Sequence, residues 1–165
     1  MRTIIHDLSE ENLSKFNFNS DDIIIDSNKC KNNCIGCFSC WIKHPKKCIY
    51  NDEYSNMAES IKNSDEFVLI SKCRYGCYSN NVKRVLERCI GYVLPYFTIR
   101  NGEIHHKSRY SKNLKLCVYL YGDIDESDKK VITNLVKANG VNLNTSDLEI
   151  NYIDNIEEID NVYTN

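Results

Sequence analysis

A chain of 165 residues with 21 Lys and Arg against 23 Asp and Glu carries a formal net charge of −2, so it has no overall basic field to hold nucleic acid or an anionic membrane. The length is that of one domain spanning residues 1–165, no apolar run approaches the roughly 18 residues of a membrane span, and the N-terminus lacks an apolar leader, so a soluble cytoplasmic protein is expected. Nine cysteines, odd in number and spread through a chain that has apolar strands of its own, argue against a disulfide scaffold.

Thr3 to Leu8 reads as a first strand, and Ile23-Ile24-Ile25 as a second, continuous in apolar residues as a strand buried on both faces is. The interval between them leaves room for only a short helix, Ser9 to Lys15, with Ser9 as its N-cap. A cysteine-rich stretch from Cys30 to Cys48 follows. Tyr54, Met57, Ala58 and Ile61 then recur at the spacing of one amphipathic helix. Phe67 to Ile70 is a third buried strand, and Ser71 to Ser79 a polar loop. The next helix has its apolar positions at Val82, Val85, Leu86, Cys89 and Ile90, with Ser79 placed to cap it.

Gly91 and Pro95 end that pattern. Tyr96 to Lys107 carries extended residues on both sides of Asn101-Gly102, the dipeptide preferred by a type I′ hairpin turn. Leu114 to Tyr121 is a fourth buried strand, stopped by Gly122. Val131, Ile132, Leu135 and Val136 define a helix with Ser127 at its start and Gly140 just past its end. Leu148 to Tyr152 is a fifth strand. The acidic tail, with Asp154, Glu157, Glu158 and Asp160, reads as a solvated end or a frayed helix. Strands alternating with helices predict an α/β class: a mostly parallel sheet covered on both faces, doubly wound, with function gathered at the carboxyl ends of the strands. On that topology the cysteine stretch and the Ser71–Ser79 loop fall on the same rim.

The cysteine stretch is the most specific chemistry in the chain. Five of the nine cysteines lie within nineteen positions, and Cys34, Cys37 and Cys40 repeat at C-x-x-C-x-x-C spacing before Cys48. A loop with that spacing turns several sulfurs towards one point, as a metal or an iron–sulfur cluster requires. Reduced thiols packed in an ordered loop are the alternative, because free cysteine is itself commonly buried.

The segment Cys34-Ile35-Gly36-Cys37-Phe38-Ser39-Cys40-Trp41, with Pro45 and Cys48, is followed by a helix, a buried strand, a Ser-x-x-x-Tyr-Gly loop and a Val-Lys-x-Val-Leu-x-Arg helix. Together, from about Ile23 to Gly140, these resemble the flavodoxin-like proteins grouped with NADPH-dependent FMN reductases, and most closely the iron–sulfur flavoproteins. The resemblance implies a three-layer sandwich with a five-stranded parallel sheet of order 2-1-3-4-5 and a hairpin excursion before the fourth strand. It implies a four-iron four-sulfur cluster on Cys34, Cys37, Cys40 and Cys48, with Cys30 outside the set. It also implies FMN bordered by Ser71, Lys72, Cys73, Arg74, Tyr75 and Gly76, a nicotinamide nucleotide as electron donor, and a homodimer or higher oligomer with Tyr92 to Phe97 as candidate contact.

Two features depart from that family. The first βα loop, which in relatives holds the FMN phosphate with small polar residues and glycine, reads Asp7-Leu8-Ser9-Glu10-Glu11-Asn12. It has no glycine, and three carboxylates stand where a dianion would lie. In the flavin-bordering loop, Lys72 replaces a proline. Three functions therefore stay open: an NAD(P)H-dependent flavin oxidoreductase, an iron–sulfur electron carrier without flavin, and a cofactor-free flavodoxin-like interaction subunit.

Other groupings rank lower. Arg100, His105, His106, Lys107, Arg109 and Lys112 form a basic stretch that suits nucleotide phosphates or an acidic partner, or is a solvated turn. His105 and His106, adjacent on a strand, point to opposite faces. Cys73 and Cys77, beside Lys72 and Arg74, are either a redox pair or plain thiols. Cys89 and Cys117 lie on apolar faces and read as core. No Ser/His/Asp grouping, Walker loop or G-x-G-x-x-G is present, so hydrolase, nucleotidase and Rossmann dehydrogenase readings have no support.

Overall fold

The computed structural model describes residues 1–153 and Ile156; the acidic tail positions Asp154, Glu157, Glu158 and Asp160 lie outside them. Five parallel strands build the central sheet: β1 (Arg2–His6), β2 (Ile23–Asp26), β3 (Glu66–Arg74), β7 (Lys115–Tyr121) and β8 (Asp147–Ile153), in the order β2-β1-β3-β7-β8. In strand count that is 2-1-3-4-5, the flavodoxin-like order expected. The two-residue β4 (Cys77–Tyr78) folds back antiparallel on the end of β3, and β5 (Val93–Arg100) pairs with β6 (Glu103–Ser108) in a separate ribbon.

The period-2 rule assigns the two faces. Ile5, Phe67, Leu69, Leu116, Val118 and Leu120 turn to one side, where α3 (Met57–Asn63), α4 (Asn80–Glu87) and α5 (Glu126–Leu143) cover them with Met57, Ile61, Val82, Val85, Ile132 and Val136. Ile4, Val68, Ile70, Cys117 and Tyr119 turn to the other, against Leu8, Leu13, Phe16 and Ile153; α1 (Glu10–Leu13) belongs to this layer. Burial drives the Cys117 thiol up to about 11 and Cys89 also lies buried with a raised pKa, so both are inert packing groups. Among the described residues no helix is long and apolar enough to cross a membrane.

Capping chemistry sets several boundaries where the sequence puts them. Ser9 Oγ accepts the Asn12 N–H at 3.2 Å and Ser79 Oγ the Val82 N–H at 3.3 Å. Asn101 and Gly102 take φ of 51° and 82° in the hairpin turn, as a type I′ geometry requires. The hairpin strands start earlier than expected and contain Pro95, at a register irregularity between Val93 and Phe97 where a missing N–H is tolerated.

Four boundaries differ from expectation. The helix signalled by Tyr54 begins only at Met57: the Tyr54 and Ser55 N–H groups are held in a turn on Asp52, at its Oδ1 (3.1 Å) and its carbonyl (3.0 Å), and the Tyr54 hydroxyl donates to the Asp26 carbonyl at 2.7 Å. Cys89 and Ile90 sit on a 3-10 turn, Arg88–Tyr92, beyond α4. The last helix is capped by Asp125 rather than Ser127, and runs through Gly140 to an αL Asn144 at φ 56°. Gly140 marks a close approach instead of an end: a Cβ there would lie 3.1 Å from Thr145 Oγ1.

The fourth difference matters most for function. Ser71 to Arg74 continue β3 in ladder register, Ser71 and Lys72 opposite Leu120 and Tyr121 of β7, and Cys73 and Arg74 opposite Tyr78 and Cys77 of β4. The expected polar loop is a strand and a tight two-residue turn, Tyr75 (φ 52°) and Gly76 (φ 66°). Gly76 is needed twice over, for its φ and because a Cβ would come within 2.7 Å of Val131 Cβ on α5. Gly76→Ala is expected to lower stability by about 2 kcal/mol or more, read from the urea midpoint. Adding Val131→Ala should recover the steric part of that loss and leave the backbone part.

Candidate functional site: a thiol-lined groove on the helical face

At the rim formed by the carboxyl ends of the strands, the chain closes on itself. Asp7, one residue beyond β1, accepts the Lys72 N–H on both carboxylate oxygens (3.2 and 3.1 Å) and the Tyr121 hydroxyl at 2.9 Å. Burial, and then the Asp7 charge beside it, hold the Tyr121 phenol protonated well above its ordinary range. Ser71 is fully buried; its Oγ accepts the Ser79 N–H at 2.9 Å and donates to the Lys72 carbonyl at 3.1 Å. Of the residues expected to border FMN, then, Ser71 and the Lys72 backbone are spent inside the fold. Arg74 and Tyr75 stand exposed at the rim, with Tyr75 96% accessible, and Gly76 abuts α5.

Cys73 and Cys77 do not form a facing pair. Cys73 is opposite Tyr78 and Cys77 opposite Arg74, so the two thiols project from opposite faces of the ribbon. Cys73 is buried in the core, where desolvation raises its pKa, while Cys77 opens outward.

The cysteine stretch begins at the rim and leaves it. Asn28 Oδ1 accepts from the Asn81 side chain, at the first turn of α4. One turn on, Arg84 donates to Asn33 Oδ1 and to the Cys30 carbonyl, both at 2.7 Å. The short helix α2 (Ser39–Ile42) is pinned by Trp41, whose Nε1 donates to the Ile90 and Val93 carbonyls at 3.1 and 3.0 Å. Cys34, Cys37, Cys40 and Cys48 thus collect beside Arg88 and Ile90, around a cavity of about 40 Å³ otherwise lined mostly by Ile35, Phe38, Ile49 and Tyr50. Cys34 and Gly36 of the stretch and Cys77 and Tyr78 of the Ser71–Ser79 segment border one groove, while Cys37, Cys40 and Cys48 line the smaller cavity beside Arg88.

The four thiols nonetheless share one environment. Burial, and then the neighbouring Cys48, Cys34 and Cys37, push the Cys40 thiol up. Among the described residues no three His, Cys, Asp or Glu side chains form a group that could hold a single metal ion; the thiols border a common space instead. Beside them lies Arg88, its side chain fully buried, donating to Asp52 at 2.9 and 2.6 Å and to Cys30 Sγ at 3.5 Å. Its guanidinium carbon stands 5.2 and 5.5 Å from the Tyr50 and Tyr54 ring centres. The Arg88 hydrogen bonds hold the Asp52 carboxyl below its usual range. Sequence reading missed this pair; the one available signal was an arginine directly after a helical stripe of Val82, Val85 and Leu86.

A larger groove, about 690 Å³, runs along the outer face between α4 and α5. Leu86, Ile90, Val93, Leu135 and Leu143 make its apolar walls, Cys77 and Tyr78 line it from β4, and Cys34 and Gly36 close it from the cysteine stretch. Cys34, Gly36 and Ile90 also line the small thiol cavity, so the two spaces share a wall. Lys83, Glu87, Asn139, Asn142 and His106 supply polar atoms. Asn139 donates to the Tyr78 hydroxyl at 3.2 Å. The volume and mixture of walls suit a ligand of cofactor size.

The basic stretch is largely consumed by structure. Arg100 donates to the Val141 and His106 carbonyls and to Ser108 Oγ, Arg109 to the Gly91 and Val93 carbonyls, and Lys112 pairs with Asp65. The two histidines diverge, as expected on a strand. His105 contacts Asn142 and Glu103, while His106 stands between Trp41 and Phe97, 4.9 Å from each ring centre. With Phe38 stacked on Trp41 at 5.2 Å, four rings form a file from the thiol cavity to the hairpin, where Tyr96 and Phe97 are 65% and 62% exposed.

No family model matches the chain, and no curated protein matches it. Among solved structures it is similar to an FMN-dependent NADH-azoreductase from Bacillus anthracis str. Ames Ancestor in complex with FMN, at 13% identity over 99% of each chain and a TM-score of 0.56. It is also similar to the azoreductase AzrA, at 9% identity over 97% of this chain and 89% of that one, with a TM-score of 0.57. At such identities the likeness is one of fold, and the fold is flavodoxin-like.

Removing the partner of the buried guanidinium gives a direct test of what anchors the cysteine stretch. Asp52→Ala is expected to cost about 3 kcal/mol at neutral pH by chemical denaturation. Asp52 has a lower pKa folded than unfolded, so its contribution is present above about pH 4 and fades as pH falls through the folded value. Asp52→Asn should therefore flatten the acid limb of the stability curve below about pH 4.

Proposed function

We propose that the chain is a flavin-linked oxidoreductase drawing electrons from a nicotinamide nucleotide, with the flavin ring in the groove between α4 and α5 and Cys34, Cys37, Cys40 and Cys48 as the adjoining redox element. One observation carries the reading: a groove of cofactor size and a four-thiol cavity share Cys34, Gly36 and Ile90 as a common wall. The solved structures of similar fold, both titled azoreductases and one an FMN complex, support the class of chemistry. A bound flavin would supply hydride acceptance and onward electron transfer.

The residues present fit the ring and not the phosphate of FMN. Apolar side chains offer the ring two walls, and Lys83, Glu87 and Asn139 offer polar contacts to its edge. At the rim, where this fold receives the phosphate, a carboxylate stands instead. For the thiols, the C-x2-C-x2-C-x7-C spacing is of the kind that ligates an iron–sulfur cluster, and the side chains, which border one cavity without converging on one point, would have to draw together to hold it.

A second reading, an iron–sulfur electron carrier without flavin, is favoured by the closed rim alone. We further propose that copies of the chain meet through the hairpin, whose Phe97, Ile99 and Ile104 are exposed on a ribbon with unpaired edges.

Anaerobically purified protein tests all of this. Added flavin should lose fluorescence on binding, NAD(P)H oxidation should depend on that flavin, and Leu135→Trp, which fills the groove, should weaken both at least tenfold. Absence of quenching and of flavin-dependent turnover would remove the flavin reading; a broad absorbance near ~400 nm with iron and labile sulfide, and no flavin effect, would establish the carrier instead. Phe97→Asp should shift a self-associating chain towards monomer in sedimentation.

A further inference from the structure

We infer that the crevice in which this fold receives an anionic phosphate is filled by the chain's own Asp7 carboxylate, so that a flavin is held here by its ring alone, with no preference for a phosphorylated form. This rests on the flavin reading above. In a sheet of order 2-1-3-4-5 the nucleotide lies at the switch point between the carboxyl ends of the first and third strands. Its phosphate is met there by backbone N–H groups and a helix start.

In this chain those donors are already used. The Lys72 N–H, at the end of β3, points to both Asp7 oxygens, and the Tyr121 hydroxyl, from the end of β7, points to one of them. Asp7 is itself tied down, its N–H donating to the Ile70 carbonyl at 3.3 Å. The helix that follows is only four residues long, its Asn12 N–H is taken by Ser9 Oγ, and Glu10 and Glu11 occupy its first turn. No glycine between Asp7 and Asn12 lets the backbone approach a ligand. A phosphate brought here would meet carboxylates where it needs donors.

Beside the crevice an opening of about 500 Å³ remains, walled largely by polar side chains, among them Arg74, Ser79, Asn80 and Asn81. The Tyr75–Gly76 turn leans on α5, with Gly76 so near Val131 that even a methyl group is excluded. The apolar walls that a planar ring needs are those of the groove on the helical face. Its charged side chains are Lys83 and Glu87, one turn apart on α4 and opposite in sign. That pair gives no net attraction for a dianion, while the Leu86, Ile90 and Leu135 walls act on the ring common to riboflavin and FMN.

Titration of the intact, flavin-free protein with riboflavin and with FMN, followed by quenching at low and high salt, decides the matter. FMN is expected to bind no more than about threefold more tightly than riboflavin at either salt concentration. Asp7→Asn should leave the riboflavin constant unchanged, and Leu135→Trp, with its fold checked by circular dichroism, should weaken both ligands by tenfold or more. A preference for FMN above threefold would overturn the inference and leave the flavin reading standing. Binding of neither flavin would overturn both.

Discussion

Arg88 is a cation sealed inside the protein, and the path of the cysteine stretch follows from what is needed to keep it there. A buried guanidinium is tolerated only when its donors are met. Asp52 meets two of them and the Cys30 sulfur a third, the Tyr50 and Tyr54 ring faces cover its plane, and Nε alone is buried without a hydrogen-bond partner among the described residues. These partners come from both ends of the 30–54 segment. Meeting them draws the chain along α4 and gathers four cysteines where an unconstrained loop would have stayed near the rim. Trp41 ties α2 to the passage from the 3-10 turn into β5 by donating to the Ile90 and Val93 carbonyls.

The frame is flavodoxin-like, but its rim is occupied by the chain's own side chains. The sheet, its order and its crossovers are those of the doubly wound class, yet the strand ends that usually frame a nucleotide are joined by hydrogen bonds among Asp7, Lys72 and Tyr121. The largest apolar-walled opening among the described residues lies on the outer face between two helices. Fold and site are separable here: topology fixes the rim, but side chains decide whether the rim is a site.

Much of the frame was legible because local chemistry states it directly. Continuous apolar strands, Ser9 and Ser79 as caps, and Asn101-Gly102 as a turn each depend on residues close in sequence. The extension of β3 was hidden because Ser71, Lys72 and Arg74 are polar and Tyr75 is an unusual first residue for a turn with positive φ; register with β7 and β4 overrides those preferences. Gly140 misled for a similar reason: it serves a packing contact with Thr145, while Asn144 takes the left-handed position. Of the site, the grouping of Cys34, Cys37, Cys40 and Cys48 was readable from spacing. Their place beside Arg88, and the seal around it, rest on contacts more than thirty residues apart in sequence that no window along the chain contains.

The file of rings from Phe38 through Trp41 and His106 to Phe97 makes the protruding ribbon an outrigger of the sulfur-bearing segment. Flat groups in contact cannot slide past one another without losing overlap, so a displacement at one end of the row is felt at the other. The sulfur-bearing segment and the exposed Phe97 of the hairpin are thereby joined by continuous ring contacts.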